Sequence, residues 1–220
     1  RNRVFEMSKL SPKDSKNVRL MLLRQLILIP IRFLRALVFI PILPQSFIFI
    51  LKVISTWFSY VPRFMLGFPA LFSFNYPMAE EKNDSFLKKL YTYLSWISCY
   101  PASFLGGVLG IFISIKFLDI YYTPILFLWG LLIPLNVHVL SSFTAKGKFD
   151  LIAFADVIAA ISNLIFPIIG WYLHDFLGLI FGCLLSILTY LYIGKKELFP
   201  DKVKIKLTEV KNNFFSGLNF

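Results

Sequence analysis

Five cations stand inside stretches that are otherwise apolar: Arg24, Arg32 and Arg35 in the first such stretch, Lys52 and Arg63 in the second. At about 100° per residue, Arg24 and Arg35 fall within about 20° of each other on a helix, with Arg32 some 60° away. One face therefore carries a cationic stripe about 16 Å long. Lys52 and Arg63 repeat the same eleven-residue offset on the second stretch. Arginine dominates the set, and its planar fork holds phosphate oxygens bidentately while keeping its proton in apolar surroundings. The chemistry implied is recognition of an anion, with a pyrophosphate the best fit.

A carboxylate partner is scarce in these stretches: Asp156 is the one acid among the apolar windows against five cations. Asn163 lies seven residues beyond it, on the same helical face, beside Ser162. Asp156 is thus either the structural partner of an arginine or an ion-coupling group, and Asn163 a polar lining residue. His138 is read two ways as well, as a titrating coupling group or as a satisfied packing residue. A charge at a bilayer centre costs about 2.5–3.5 kcal/mol on insertion scales, so five facing lipid would oppose stable insertion. The set is expected to face a hydrated chamber that attracts polyanions.

The elements that must position these groups are membrane spans. The chain has 220 residues, 57% hydrophobic and 16% charged, with 25 Phe, which is too little polar side chain to cover a soluble domain. A bilayer core about 30 Å thick takes about 20 apolar helical residues. Six windows meet this, near Leu20 to Leu43, Ser46 to Phe74, Leu90 to Ile115, Tyr121 to Phe143, Leu151 to Leu173 and Phe176 to Ile193. The flanking segments alternate in charge: the first tail, the loops after windows two and four, and the final segment hold seventeen Lys/Arg, whereas the other three loops share Lys116. The positive-inside rule places both ends in the cytoplasm. The expected fold is an all-α polytopic membrane helix bundle of six transmembrane helices. It divides into a basic cytoplasmic tail over 1–19, a six-span lobe over 20–194 and a cytoplasmic linker over 195–220.

Composition also excludes several classes. Cys99 and Cys183 sit inside apolar runs and read as buried hydrophobes, not as a disulfide framework. No cofactor is implied, and no residues stand at metal-ligand spacing. The net charge of +11 is spread over membrane flanks and spans, which does not suit nucleic acid. Gly106-x-x-x-Gly110 and Gly178-x-x-x-Gly182 allow close helix packing. Eight prolines in or beside the windows imply kinks that neighbours or a cavity must satisfy.

The layout resembles the N-terminal half of a Wzx-type polysaccharide flippase, in the multidrug/oligosaccharidyl-lipid/polysaccharide exporter superfamily. The resemblance rests on the Arg-bearing first span, on Leu66-Gly67-Phe68-Pro69-Ala70, and on the charged connection Met78-Ala79-Glu80-Glu81-Lys82-Asn83-Asp84. It continues through Phe143-Thr144-Ala145-Lys146-Gly147-Lys148-Phe149-Asp150 before the fifth span, Leu177-Gly178-Leu179 in the sixth, and Val210 to Leu218, which is similar to the start of a seventh. Pro44-Gln45 departs from the more typical Leu-Gly-Pro-like outer turn. The resemblance implies one half of a twelve- to fourteen-helix transporter in a bacterial cytoplasmic membrane, with the C-terminal half of the chain missing. Its cargo would be an undecaprenyl-pyrophosphate-linked oligosaccharide, moved between leaflets by alternating access without covalent chemistry. Arg24, Arg32, Arg35, Lys52, Arg63 and Asn163 would bind it, and Asp156 and His138 would couple it to an ion. The alternative is an integral membrane enzyme acting on polyprenyl or phospholipid phosphates.

Overall fold

A computed structural model describes residues 12–199, excepting the side chains of 12–14. The expected start of a seventh span, most of the linker and residues 1–11 of the tail lie outside the described residues. Every regular element among the described residues is helical: α1 (Pro12–Ile42), α2 (Gln45–Phe58), a 3₁₀ turn (Val61–Met65), α3 (Phe68–Glu81), α4 (Ser85–Ile97), α5 (Cys99–Phe117), a 3₁₀ turn (Ile120–Tyr122), α6 (Thr123–Ala145), α7 (Phe149–Ile193) and a final 3₁₀ turn (Lys195–Glu197). Among the described residues, five stretches are long and apolar enough to cross a membrane, and the last, at 45 residues, is long enough to do so twice.

α7 is two helical arms. His174 (φ −146°, ψ 34°) and Asp175 (φ 50°, ψ −135°) leave helical geometry, at the site where the sequence predicts a loop. Beyond them the chain doubles back: Gly170 faces Gly178, and Phe166 faces Gly182, both pairs centred on residue 174. A methyl group at any of these three glycines would overlap backbone of the opposite arm. The Gly178-x-x-x-Gly182 spacing is therefore read out as backbone contact within one hairpin.

The same device closes α5 on α6. Gly106 meets Gly130 and Gly110 meets Leu126, both pairs centred on residue 118. The turn is pinned by the buried Ser114 hydroxyl, which donates to the Asp119 carbonyl at 2.8 Å and contacts the Thr123 hydroxyl at 2.8 Å. Higher up, the Ser103 hydroxyl donates to the Leu131 carbonyl at 2.8 Å.

The second apolar window is not one helix. α2 stops at Phe58, a 3₁₀ turn follows, and Leu66 (φ 52°) and Gly67 (φ 77°) both take left-handed geometry before α3 begins. Pro62 and Pro69 explain the interruption, since each lacks the amide that a continuous helix would use. The third window also differs in extent. Its helix starts at Ser85 and steps at Ser98, so Lys88 and Lys89 lie on α4, with a loop of only Lys82 to Asp84 before it. Asp84 caps α4, its Oδ1 accepting from the amides of Phe86 at 3.0 Å and Leu87 at 2.9 Å. Replacing Asp84 by Ala is expected to cost about 1 kcal/mol, seen as a lowered melting temperature of the solubilised protein.

The chain forms two compact units. Among the described residues, one comprises 12–48 with 148–190, the other 49–147 with 191–199. In the first, α1 buries little beyond Leu28, with Leu43 buried just after it, while Phe47 stacks on Phe176 with centroids 4.5 Å apart and meets the edge of Trp171 at 5.7 Å. In the second, Val61 and Met65 of the 3₁₀ turn are wholly buried, Met65 among Cys99, Ala102, Leu135 and Val137.

Candidate functional site

Arg24, Arg32 and Arg35 lie together on α1 of the first unit, as their periodicity requires. Arg24 Nη2 forms an ion pair with Asp156 Oδ2, the two side chains 20% and 18% exposed. Asp156 thus holds an arginine in an ion pair. Arg32 is exposed, with its charge in electrostatic reach of Asp156. Arg35 is half-buried, its guanidinium 5.1 Å from the centre of the Phe39 ring.

A further polar group reaches the pair. Tyr190, 5% exposed, stands within electrostatic reach of both Asp156 and Arg24. Its hydroxyl, Arg24 Nε and Asn163 Oδ1 are buried without a hydrogen-bond partner among the described residues. Polar groups so placed serve a hydrated or ligand-bearing interior better than a dry packing surface. Tyr190 escapes a reading of the sequence because an aromatic near a span end is indistinguishable from an interfacial anchor.

Lys52 and Arg63 belong to the second unit, and both are exposed. Their eleven-residue offset does not place them on one helical face, because the helix carrying Lys52 ends before Arg63. Arg63 instead sits in the 3₁₀ turn between two buried neighbours, Val61 and Met65, which direct it outward. Its guanidinium lies 4.6 Å from the centre of the Tyr60 ring. Among the described residues, Arg32, Arg35, Lys52 and Arg63 make no ion pair; the carboxylate of Asp156 is committed to Arg24.

His138 is wholly buried on α6. Its Nδ1 is 2.9 Å from the Ser95 hydroxyl, and its ring stacks with Phe72 at 6.2 Å. A serine against a histidine is the contact of a nucleophile with its base. Neither residue has exposed surface, so this pair is closed to any substrate as it stands. A second buried group also lay beyond sequence reasoning: Glu197, 6% exposed, accepts from the Ser142 hydroxyl at 2.7 Å and pairs with Lys146. The signal available was the spacing of His138, Ser142 and Lys146, every fourth residue running down α6 to its C-cap. No protein-family model, curated protein or solved structure matches this chain.

Proposed function

We propose that the chain is one lobe of a membrane transporter for a lipid-linked, pyrophosphate-bearing oligosaccharide, working by alternating access in a bacterial cytoplasmic membrane. The observation that carries this reading is the set of four cations, Arg32, Arg35, Lys52 and Arg63, within or beside apolar spans and without ion-pair partners among the described residues. Buried or membrane-embedded charge persists when something compensates it. A pyrophosphate with acidic sugars supplies that charge, while a polyprenyl tail stays in lipid. The interruption of the second span next to Arg63 supports the same reading, because irregular backbone at membrane depth is tolerated where it lines a cavity. In this assignment both ends of the lobe face the cytoplasm, Asn163 lines the chamber, and Arg24 takes part only when released from Asp156. Asp156 and His138 are the groups available for ion coupling, and a second lobe from the same polypeptide completes the chamber.

The test is replacement of Arg35 and Arg63 by Ala in the full-length protein, followed by the appearance of lipid-linked glycan at the outer face of the membrane. Two charge-assisted contacts at about 1.5 kcal/mol each predict a loss of about a hundredfold in substrate affinity. Membrane insertion should be unchanged, and Lys89→Ala, on the charged flank, should transport normally. Wild-type delivery by the double variant would sink the assignment.

A further inference from the structure

One end of the second unit holds a run of buried polar groups that includes none of the four unpaired cations. Ser95 of α4, then His138 and Ser142 of α6 and Lys146 at its C-cap, lead to Glu197 in the final 3₁₀ turn. The charges of Glu197 and Lys146 both act on His138. The residues after the last span are drawn onto α6 by more than charge. Gly194 lies so close to Val139 that a methyl group there would overlap the valine side chain, and the Glu197 amide donates to the Gly194 carbonyl at 2.8 Å. A carboxylate with so little exposure is stable only while its partners hold it.

We infer that residues 194–199 form a strap, latched by the Glu197 carboxylate to Ser142 and Lys146, that closes one end of the second unit over the Ser95–His138 pair. The latch is open to competition because its lysine is partly exposed, its side chain at 29%. Competition for Lys146 or loss of the Glu197 charge opens it. Opening turns His138 from an enclosed group into an accessible imidazole and frees residues 194–199 from α6. The strap is independent of the anion-binding reading, since none of Arg32, Arg35, Lys52 or Arg63 takes part.

The chain carries two histidines, which makes the test internally controlled. His174 is exposed at the hairpin turn and should react freely with diethyl pyrocarbonate in the solubilised full chain, whereas His138 should be protected. Mass spectrometry reads both sites on the same molecules. Glu197→Ala should raise the reactivity of His138 relative to His174 by about tenfold or more, since local opening then no longer breaks a buried pair. The exchanged pair Lys146→Glu with Glu197→Lys should restore protection. To separate opening from unfolding, Lys146→Cys with Glu197→Cys in a Cys99→Ala, Cys183→Ala background is bridged by a reducible bifunctional thiosulfonate. His138 should be protected when bridged and reactive after reduction. The strap is overturned if Glu197→Ala leaves the ratio unchanged, if wild-type His138 reacts as fast as His174, or if bridging and reduction make no difference.

Discussion

Gly178→Ala is expected to destabilise the protein by about 3 kcal/mol, at the upper end of overpacking costs, because the added methyl has nowhere to go. Its neighbour is the Gly170 carbonyl and backbone, not a flexible side chain that could swing aside. Intrinsic propensity alone has the opposite sign, since Ala stabilises a helix interior over Gly by about 1 kcal/mol. The sign of the change thus reports whether the two arms of α7 touch. Gly147 provides the contrast: its φ of 63° is strained for Ala, at about 1–2 kcal/mol, but nothing lies within 4 Å of the added methyl. Thermal or denaturant unfolding of the solubilised protein should rank wild type above Gly147→Ala and Gly147→Ala above Gly178→Ala. A Gly178→Ala protein as stable as wild type would mean that the hairpin does not pack through these glycines.

Much of the helical plan is legible in the sequence because span length, loop polarity and turn position follow from solvent alone. The breaks before Gln45, after Phe117 and at His174–Asp175 fall where short polar interruptions separate apolar runs. The interruption at 59–67 was hidden for the opposite reason: Val61, Phe64, Met65 and Leu66 keep the window apolar, and hydropathy does not sense the amides lost at Pro62 and Pro69. Helical periodicity found the Arg24–Arg35 stripe, since α1 is continuous through it, and failed for Lys52 and Arg63, since no helix joins them. Tyr190 could not be found by spacing, and for Glu197 spacing marks only the residues it meets at the end of α6. Each meets its partners across the fold, 34 residues from Asp156 and 55 from Ser142, and only the doubling of the chain brings such groups together. The partners of the two glycine motifs were invisible for the same reason, though once a turn is placed at residue 118 or 174 the facing residues follow by symmetry.

Asp156→Asn and Arg24→Gln should each lower stability, and together should cost less than their sum. Removing one partner of a fully buried ion pair costs about 3–5 kcal/mol, because the other charge is stranded. Here each side chain keeps about a fifth of its exposure, so about 2–3 kcal/mol is expected for Asp156→Asn, which strands Arg24 within a span. Arg24→Gln should cost less, about 1–2 kcal/mol, because the exposed Arg32 remains in electrostatic reach of Asp156. The double variant removes both charges and leaves two neutral amides, for a total of about 1–2 kcal/mol and a coupling of about 2 kcal/mol. Strictly additive losses in denaturant unfolding would mean that the pair is not formed in the membrane protein. The same variants divide the cations by role. Arg24 is already neutralised, so Arg24→Gln should reduce transport of an anionic cargo far less than Arg35→Gln or Arg63→Gln, whose charges have no partner among the described residues. Equal loss at all three positions would show that Arg24 leaves Asp156 to hold the cargo. No loss at Arg35 or Arg63 would remove the reason for placing an anion there at all.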